Sequence, residues 1–328
     1  MPTRILSLPL LRLLLALAVV AAVHAAPDWK IIPVKYPTKD VVVAGYNVLD
    51  FGAQGDGRTD CTSAFQRALD AMGTAGGGTV FAPTGRYLFL GNLNIPRSVT
   101  LRGEWKPPTK EDKEVGGTNL MPLVGKGTPH GPAFIRVQAC GGVKDLSVWY
   151  PEQSASKPIP YTFCMEQMGL DNATFENLTL VNPYLGIRIG PHANELHYVH
   201  NVYGTPLMTG VRYDSTTDIG RLEQIEFSAK YWSQSGLPNA PAEPSALAAW
   251  LRGNATAIHM LRSDWEYVDR VTITGYQTGF KVTEGERGAA NAQFRRLLIR
   301  DCGTALSVEK TNPYGMVFTQ CHFGASDH

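Results

Sequence analysis

The densest group of side chains able to do chemistry lies between Asn194 and Trp232. It reads Asn194-Glu-Leu-His-Tyr-Val-His-Asn-Val-Tyr-Gly-Thr-Pro-Leu207, then Gly210-Val-Arg-Tyr-Asp-Ser-Thr-Thr-Asp-Ile-Gly-Arg221, then a segment running to Trp232. Carboxylates for acid/base work, aromatic rings for stacking on sugar faces, and Arg, Lys or Asn for hydroxyls and uronates are what a carbohydrate site needs. Asp214, Asp218 and Glu226 are the expected acid/base residues. Tyr203, His200, Arg221, Lys230 and Trp232 are the expected substrate contacts, with Trp265 a further stacking platform. Carboxylates two residues apart on one strand lie roughly 7 Å apart. That falls within the window of about 5–9.5 Å that glycoside hydrolysis requires. Each carboxylate also has a structural reading. Asp214 and Asp218 flank a Ser-Thr-Thr turn whose backbone they can bond, and Glu223 and Glu226 fit solvated strand positions. His197 and His200 fall on opposite faces of a strand, which argues against a two-His metal site.

The elements that must position these groups are short and strand-like. Val143-Lys-Asp-Leu-Ser-Val-Trp149, Phe175-Glu-Asn-Leu-Thr-Leu-Val181, Val268-Asp-Arg-Val-Thr-Ile-Thr274 and Phe294-Arg-Arg-Leu-Leu-Ile-Arg300 share an apolar-x-x-apolar-x-apolar pattern. Second short strands follow several of them: Gly186-Ile-Arg-Ile-Gly190, Gly210-Val-Arg-Tyr213, Gly279-Phe-Lys-Val282 and Thr304-Ala-Leu-Ser-Val308. The spacing, read from Phe175 to Leu196, Val268 to Phe294 and Phe294 to Met316, is that of a solenoid with two or three strands per repeat. A β-sandwich also repeats short strands, but the strand–Asn/Gly–strand order favours the solenoid. Lys106–His130 and Ser233–Leu251 break the period and read as long loops, the second with a short helix.

The stretch Asn47-Val-Leu-Asp-Phe-Gly-Ala-Gln-Gly-Asp-Gly-Arg-Thr-Asp60 reads as a strand, a glycine turn and a helix start. Val48, Leu49 and Phe51 favour a strand. Gly52, Gly55 and Gly57 suit positive φ, and Asp60 or Thr62 can cap a helix over Cys61–Met72. A second glycine cluster, Gly76-Gly-Gly-Thr-Val-Phe-Ala-Pro-Thr-Gly-Arg-Tyr87, follows. The unit lacks G-x-G-x-x-G, and Asp56 and Asp60 would repel phosphate. It resembles the N-terminal start of the pectate-lyase-like right-handed β-helix superfamily, in its glycoside hydrolase family 28-related and rhamnogalacturonase/epimerase branch. The resemblance implies an all-β fold: a single-stranded right-handed parallel β-helix with an N-terminal capping helix. In that family the motif is a structural cap. The Asn-Thr-Asp, Asp-Asp, Gly-His-Gly and Arg-Ile-Lys motifs of family 28 polygalacturonases are absent, so no catalytic residue transfers by motif.

The 328 residues carry a formal charge of +1 with 18% charged residues, which does not fit a nucleic-acid binder. Residues 1–26 read as a secretory signal peptide: Arg4, an apolar run to Val23, and a small-residue cleavage site. The protein is therefore expected to be secreted or periplasmic, with no membrane span after signal removal. Residues 27–45 read as a lead-in and 46–328 as the β-helix domain, incomplete at its C-terminus because no closing cap is visible. Five scattered cysteines lack metal-site spacing and read as small buried residues, with Cys302 and Cys321 spaced to pair or stack in neighbouring repeats.

The leading expectation is a glycoside hydrolase on a pectin-like polysaccharide, with no cofactor. The alternatives are a calcium-assisted lyase on uronates and a non-catalytic, tailspike-like β-helix, for which a homotrimer is the implied assembly.

Overall fold

The computed structural model describes residues 27–38 and 40–327. The expected signal peptide lies outside the described residues. Each coil gives one strand to an eight-stranded sheet and one longer strand to a fourteen-stranded sheet. From Phe163 the alternation is regular: Phe163–Gln167, Thr174–Leu180, Leu185–Ile189, Tyr198–Gly204, Thr209–Tyr213 and Arg221–Phe227. Successive coils pair in parallel and in register. The chain is thus a right-handed parallel β-helix, in which each strand buries one face against the coil interior.

The longer strands turn a corner midway. Asp145, Asn177, Asn201, Gln224, Arg270 and Arg296 occupy this corner with φ between 54° and 57°. Asn and Asp tolerate this left-handed conformation because their short polar side chains bond locally. The corner lets residues on both sides of it point inward. Phe175 and Leu178, either side of Asn177, are both fully buried.

One inward row runs Val143, Phe175, Val199, Leu222, Val268, Phe294 and Phe318. Phe294 and Phe318 stack with centroids 4.4 Å apart. Two anchors of the expected repeat fall off this row. Leu196 is 39% exposed, and Met316 pairs with Ala292 rather than Phe294. Apolar residues in the connections imitate strand positions, so counting between apolar residues misplaces the rung. Close coil stacking also needs small residues. A Cβ on Gly210 would run into the Phe227 ring and the Ala257 carbonyl.

The helix Thr62–Thr74 covers the first coil. The Asp60 carboxylate accepts from the Thr62 amide at 3.0 Å and its hydroxyl at 2.6 Å. Phe65, Leu69 and Met72 are fully buried, with Phe65 edge-on to Tyr87 and Phe89. Truncating Phe65 to Ala would cost about 3–5 kcal/mol by cavity formation.

The opening motif differs from expectation in one respect. Val48–Phe51 forms a 3-10 turn, not a strand. The Asn47 side chain accepts from the Leu49 amide at 3.0 Å, a local bond that competes with strand pairing. Gly52 and Gly57 do have positive φ. The expected loop Lys106–His130 contains a strand, Thr118–Pro122, that joins the long sheet between Gly85–Phe89 and Gly142–Val148. The second interruption carries the helix Ser245–Asn254. All five cysteines are free.

Candidate functional site

The second short strands carry a basic residue at the same rung. Parallel register stacks Asn94, Arg136, Glu166, Arg188, Arg212, His259, Lys281 and Ser307 into one outward row along the eight-stranded sheet. Neighbouring rungs stand about 4.8 Å apart. The row therefore presents four permanent cations and one carboxylate along a straight line.

Two of the four cations are held in place. Arg188 pairs with Glu166 at 2.6 Å, and its guanidinium lies 4.8 Å from the centre of the Phe163 ring. Glu166 is only 3% exposed, so its charge stays close to Arg188. Lys281 pairs with Glu309 at 2.9 Å. Arg212, between Arg188 and His259, makes no ion pair among the described residues, which leaves its charge for a ligand.

His259 is the titratable group at the middle of this field. Burial first, then the charges of Arg212 and Lys281, push its proton affinity down to about 4. The ring is therefore neutral at pH 7 and can accept a proton. Its Nε2 lies 2.9 Å from the Thr283 hydroxyl, which fixes the ring plane. The charges of Glu309 and then Asp214 oppose the depression.

The expected site residues do not converge. Asp214 follows the strand Thr209–Tyr213 and is 8% exposed. Its carboxylate accepts from the Arg262 amide at 3.3 Å. Asp218 is exposed on a separate short pairing, where its carboxylate accepts from the Ile219 amide at 3.0 Å. Glu226 lies on the long sheet, level with Tyr203 and Thr272. The three assigned acid/base residues thus sit on three different surfaces. The reason is that the coil corners fall between them. Trp232 is a correction of a different kind: it is fully buried, with its indole donating to Asn239 at 3.2 Å, so it has no face for a sugar. Arg221 and Lys230 are exposed, away from the basic row. Trp265 is 46% exposed and packs against Tyr314. His197 points inward to Glu266 at 3.0 Å, while His200 faces outward.

Tyr203 and His200 belong to a second surface, on the long sheet. There a cleft of about 790 Å³ is lined by Trp105, Lys144, Glu176, Asn177, His200, Asn201, Gln224 and Arg270, with Pro37, Thr38 and Asp40 of the lead-in along one wall. Lys144 and His200 hold Glu176 at 2.7 and 3.3 Å. The bond from His200 leads in lowering its carboxyl to about 2, and Lys144 adds to it.

The basic row presents no hydrolytic carboxylate pair; on the long sheet Glu223 and Asp269 stand at adjacent rungs, but Asp269 is taken up by Arg296. On the basic row, Glu166 and Asp214 are separated by two rungs and two residues, roughly 12 Å. Hydrolysis needs at most about 9.5 Å. For calcium, no group of three or more His, Cys, Asp or Glu among the described residues is placed to hold a metal ion. The carboxylates of Asp171, Glu195 and Asp218 come in sequence across coils, but Glu195 is hydrogen-bonded to Asp171, which raises its pKa. These residues do not fit a calcium site.

Sequence reasoning missed the basic row, although its signal was present. The Gly-apolar-basic-apolar repeats at Arg188, Arg212 and Lys281 read as strands, and the pattern alone does not show that their basic residues share a rung.

Residues 45–201 match the family described as rhamnogalacturonase A/epimerase, pectate lyase-like. Alginate lyase 7 of Azotobacter vinelandii is 64% identical over 42 residues, 13% of this chain and 5% of the lyase. Iota-carrageenase of Alteromonas macleodii is 32% identical over 123 residues, 32% of this chain and 24% of the carrageenase. These matches span under a quarter of either relative. The A-module of the mannuronan C-5 epimerase AlgE6 from A. vinelandii superimposes with a TM-score of 0.54 at 16% identity, covering 80% of this chain and 67% of that one. That likeness is one of fold. The coil geometry and these matches together show the right-handed β-helix fold, and the family match, which covers just under half of the chain, places the likeness in its first coils.

Proposed function

We propose that the protein is a secreted enzyme acting on an acidic polysaccharide, and that it binds uronate residues along the eight-stranded sheet. The observation that carries this reading is the stacked row Arg136, Arg188, Arg212 and Lys281, with Arg212 unpaired among the described residues. Guanidinium groups take carboxylates in bidentate fashion, and a line of cations at coil spacing suits a polyanion lying along the solenoid axis. The short matches to an alginate lyase and an iota-carrageenase, and the fold of a mannuronan epimerase, agree with a polysaccharide substrate.

The reaction that fits is abstraction of the proton α to the uronate carboxylate, the first step of both elimination and epimerisation. Arg188 and Arg212 bind the carboxylate and offset the charge that builds on it as the C–H bond breaks. His259 takes the proton on a ring nitrogen. Part of its depressed proton affinity comes from Arg212 and Lys281. A bound carboxylate cancels part of that field, so His259 becomes more basic when substrate arrives. This reading is preferred to the hydrolase because the basic row carries a single carboxylate, Glu166, with no second one within hydrolytic reach of it.

The test is incubation with polymannuronate in D₂O. Deuterium in the recovered polymer, or an unsaturated product absorbing in the ultraviolet, supports proton abstraction. Reducing ends without either signal would return the assignment to a hydrolase. Tight binding without turnover would make the protein a binding β-helix, and light scattering would then test the homotrimer expected for that class.

A further inference from the structure

We propose that the cleft on the long sheet is a second carbohydrate site, and that it takes a neutral, hydroxyl-rich oligosaccharide rather than a polyanion. Its volume of about 790 Å³ is that of a small-ligand site. The charges around it are already paired with one another. Arg102 holds Asp40 at 2.9 Å and Asp145 at 2.6 Å. Lys144 and His200 share Glu176, and Arg296 is bound to Asp269. Arg270 lies 3.6 Å from Asp269. Among the described residues that line the cleft, a polyanion would have to break one of these pairs to find a cation.

The groups left over belong to side-chain amides. At the coil corner the Asn177 amide donates to Asp145 at 2.6 Å, Asn201 donates to Asn177 at 2.6 Å, and Gln224 donates to Asn201 at 2.8 Å. Each side-chain amide carries two N–H groups, and this ladder uses one from each Asn. Gln224 also donates to the Tyr203 hydroxyl at 3.3 Å, so both its N–H groups are used and its carbonyl oxygen is what it offers a ligand. The ladder spans on the order of 10 Å over three rungs, room for a short oligosaccharide. Pro37 and Pro107 supply exposed apolar surface for sugar rings beside it, backed by the buried Trp105. Trp105 is held by its indole bond to Thr179 at 2.9 Å and by stacking on Tyr203.

This site is independent of the uronate reading, and the experiment separates the two. The full chain is titrated by calorimetry with cellohexaose, mannohexaose, a β-galactan hexasaccharide and hexamannuronate. At least one neutral hexasaccharide is expected to bind and not to compete with hexamannuronate. The double substitution Asn201→Gly and Gln224→Gly removes two amides where positive φ already favours glycine. It should weaken the neutral ligand at least tenfold and leave hexamannuronate affinity within twofold. Arg212→Ala should do the reverse. Thermal unfolding of each variant checks that the coil is intact; should the double variant fail to fold, Gln224→Gly alone is expected to weaken the neutral ligand at least threefold. The proposal is overturned if none of the three neutral hexasaccharides binds at millimolar concentration, if binding survives loss of the amides, or if hexamannuronate displaces the neutral ligand.

Discussion

Two outward rows on the same solenoid, built by the same stacking rule, carry opposite kinds of charge pattern. The eight-stranded sheet lines up Arg136, Arg188, Arg212 and Lys281 with one carboxylate among them. The long sheet lines up Arg102, Lys144, Glu176, His200, Glu223, Asp269 and Arg295, in which acids and bases neutralise each other. In-register stacking repeats whatever residue type sits at a rung, so a β-helix surface is written one coil at a time. A row of like charges holds itself apart and waits for a counterion. A mixed row closes on itself and adds a little stability.

The largest effect that would sharpen this contrast is chemical. His259→Gln should cut proton abstraction by about 10²–10⁴ while polymannuronate affinity changes little. Deuterium exchange read beside calorimetry separates the two quantities. Equal activity in this variant would remove His259 as the base.

Next comes binding. Arg212→Ala should weaken polymannuronate by about 10–100-fold, the worth of a charge-assisted bonded pair. The wild-type affinity should also fall steeply with salt. Glu176→Gln on the other row should leave that affinity unchanged. If Glu176→Gln weakened uronate binding as much as Arg212→Ala, the division of the two surfaces would be wrong.

A third effect is on stability against pH. His259 titrates near 4 in the fold, against 6.5 in the unfolded chain. Between those values the unfolded chain binds a proton that the folded one refuses, so stability falls as pH drops from 6.5 to 4. The full shift corresponds to about 3 kcal/mol, roughly halved because the ring is partly solvent-exposed. Denaturant unfolding at pH 7 and 4.5 should show this loss, and His259→Gln should remove it.

The smallest effect belongs to the balanced row. Glu176 is lowered to about 2 in the fold, from 4.5. Its contribution is complete above 4.5 and is lost as pH falls from 4.5 toward 2. Glu176→Gln should cost about 1 kcal/mol at pH 7, discounted for half-exposure, and flatten unfolding over that acidic window.

The architecture was legible in the chain because it rests on local rules. Glycines at 52 and 57, the cap at Asp60 and the apolar stripe of Phe65, Leu69 and Met72 announce the first coil. Repeated strand patterns announce the rest. The rung itself was less legible: Leu196 and Val199 are both apolar near the right spacing, and only pairing shows that Val199 lies under Phe175. The candidate site was hidden for the same reason. Arg188, Arg212 and Lys281 are 24 and 69 residues apart along the chain, the second interval widened by an inserted loop and helix, yet they fall on one row. The acidic cluster from Asp214 to Glu226 looked compact in sequence but is divided by coil corners.

The sequence by itself determined that this chain winds into a capped parallel coil with a buried apolar interior, since periodicity, glycine placement and capping act over a few residues. Tertiary structure alone decided which polar residues share a surface. That depends on the parallel register between coils, a sum of insert lengths and corner geometries that no local pattern contains.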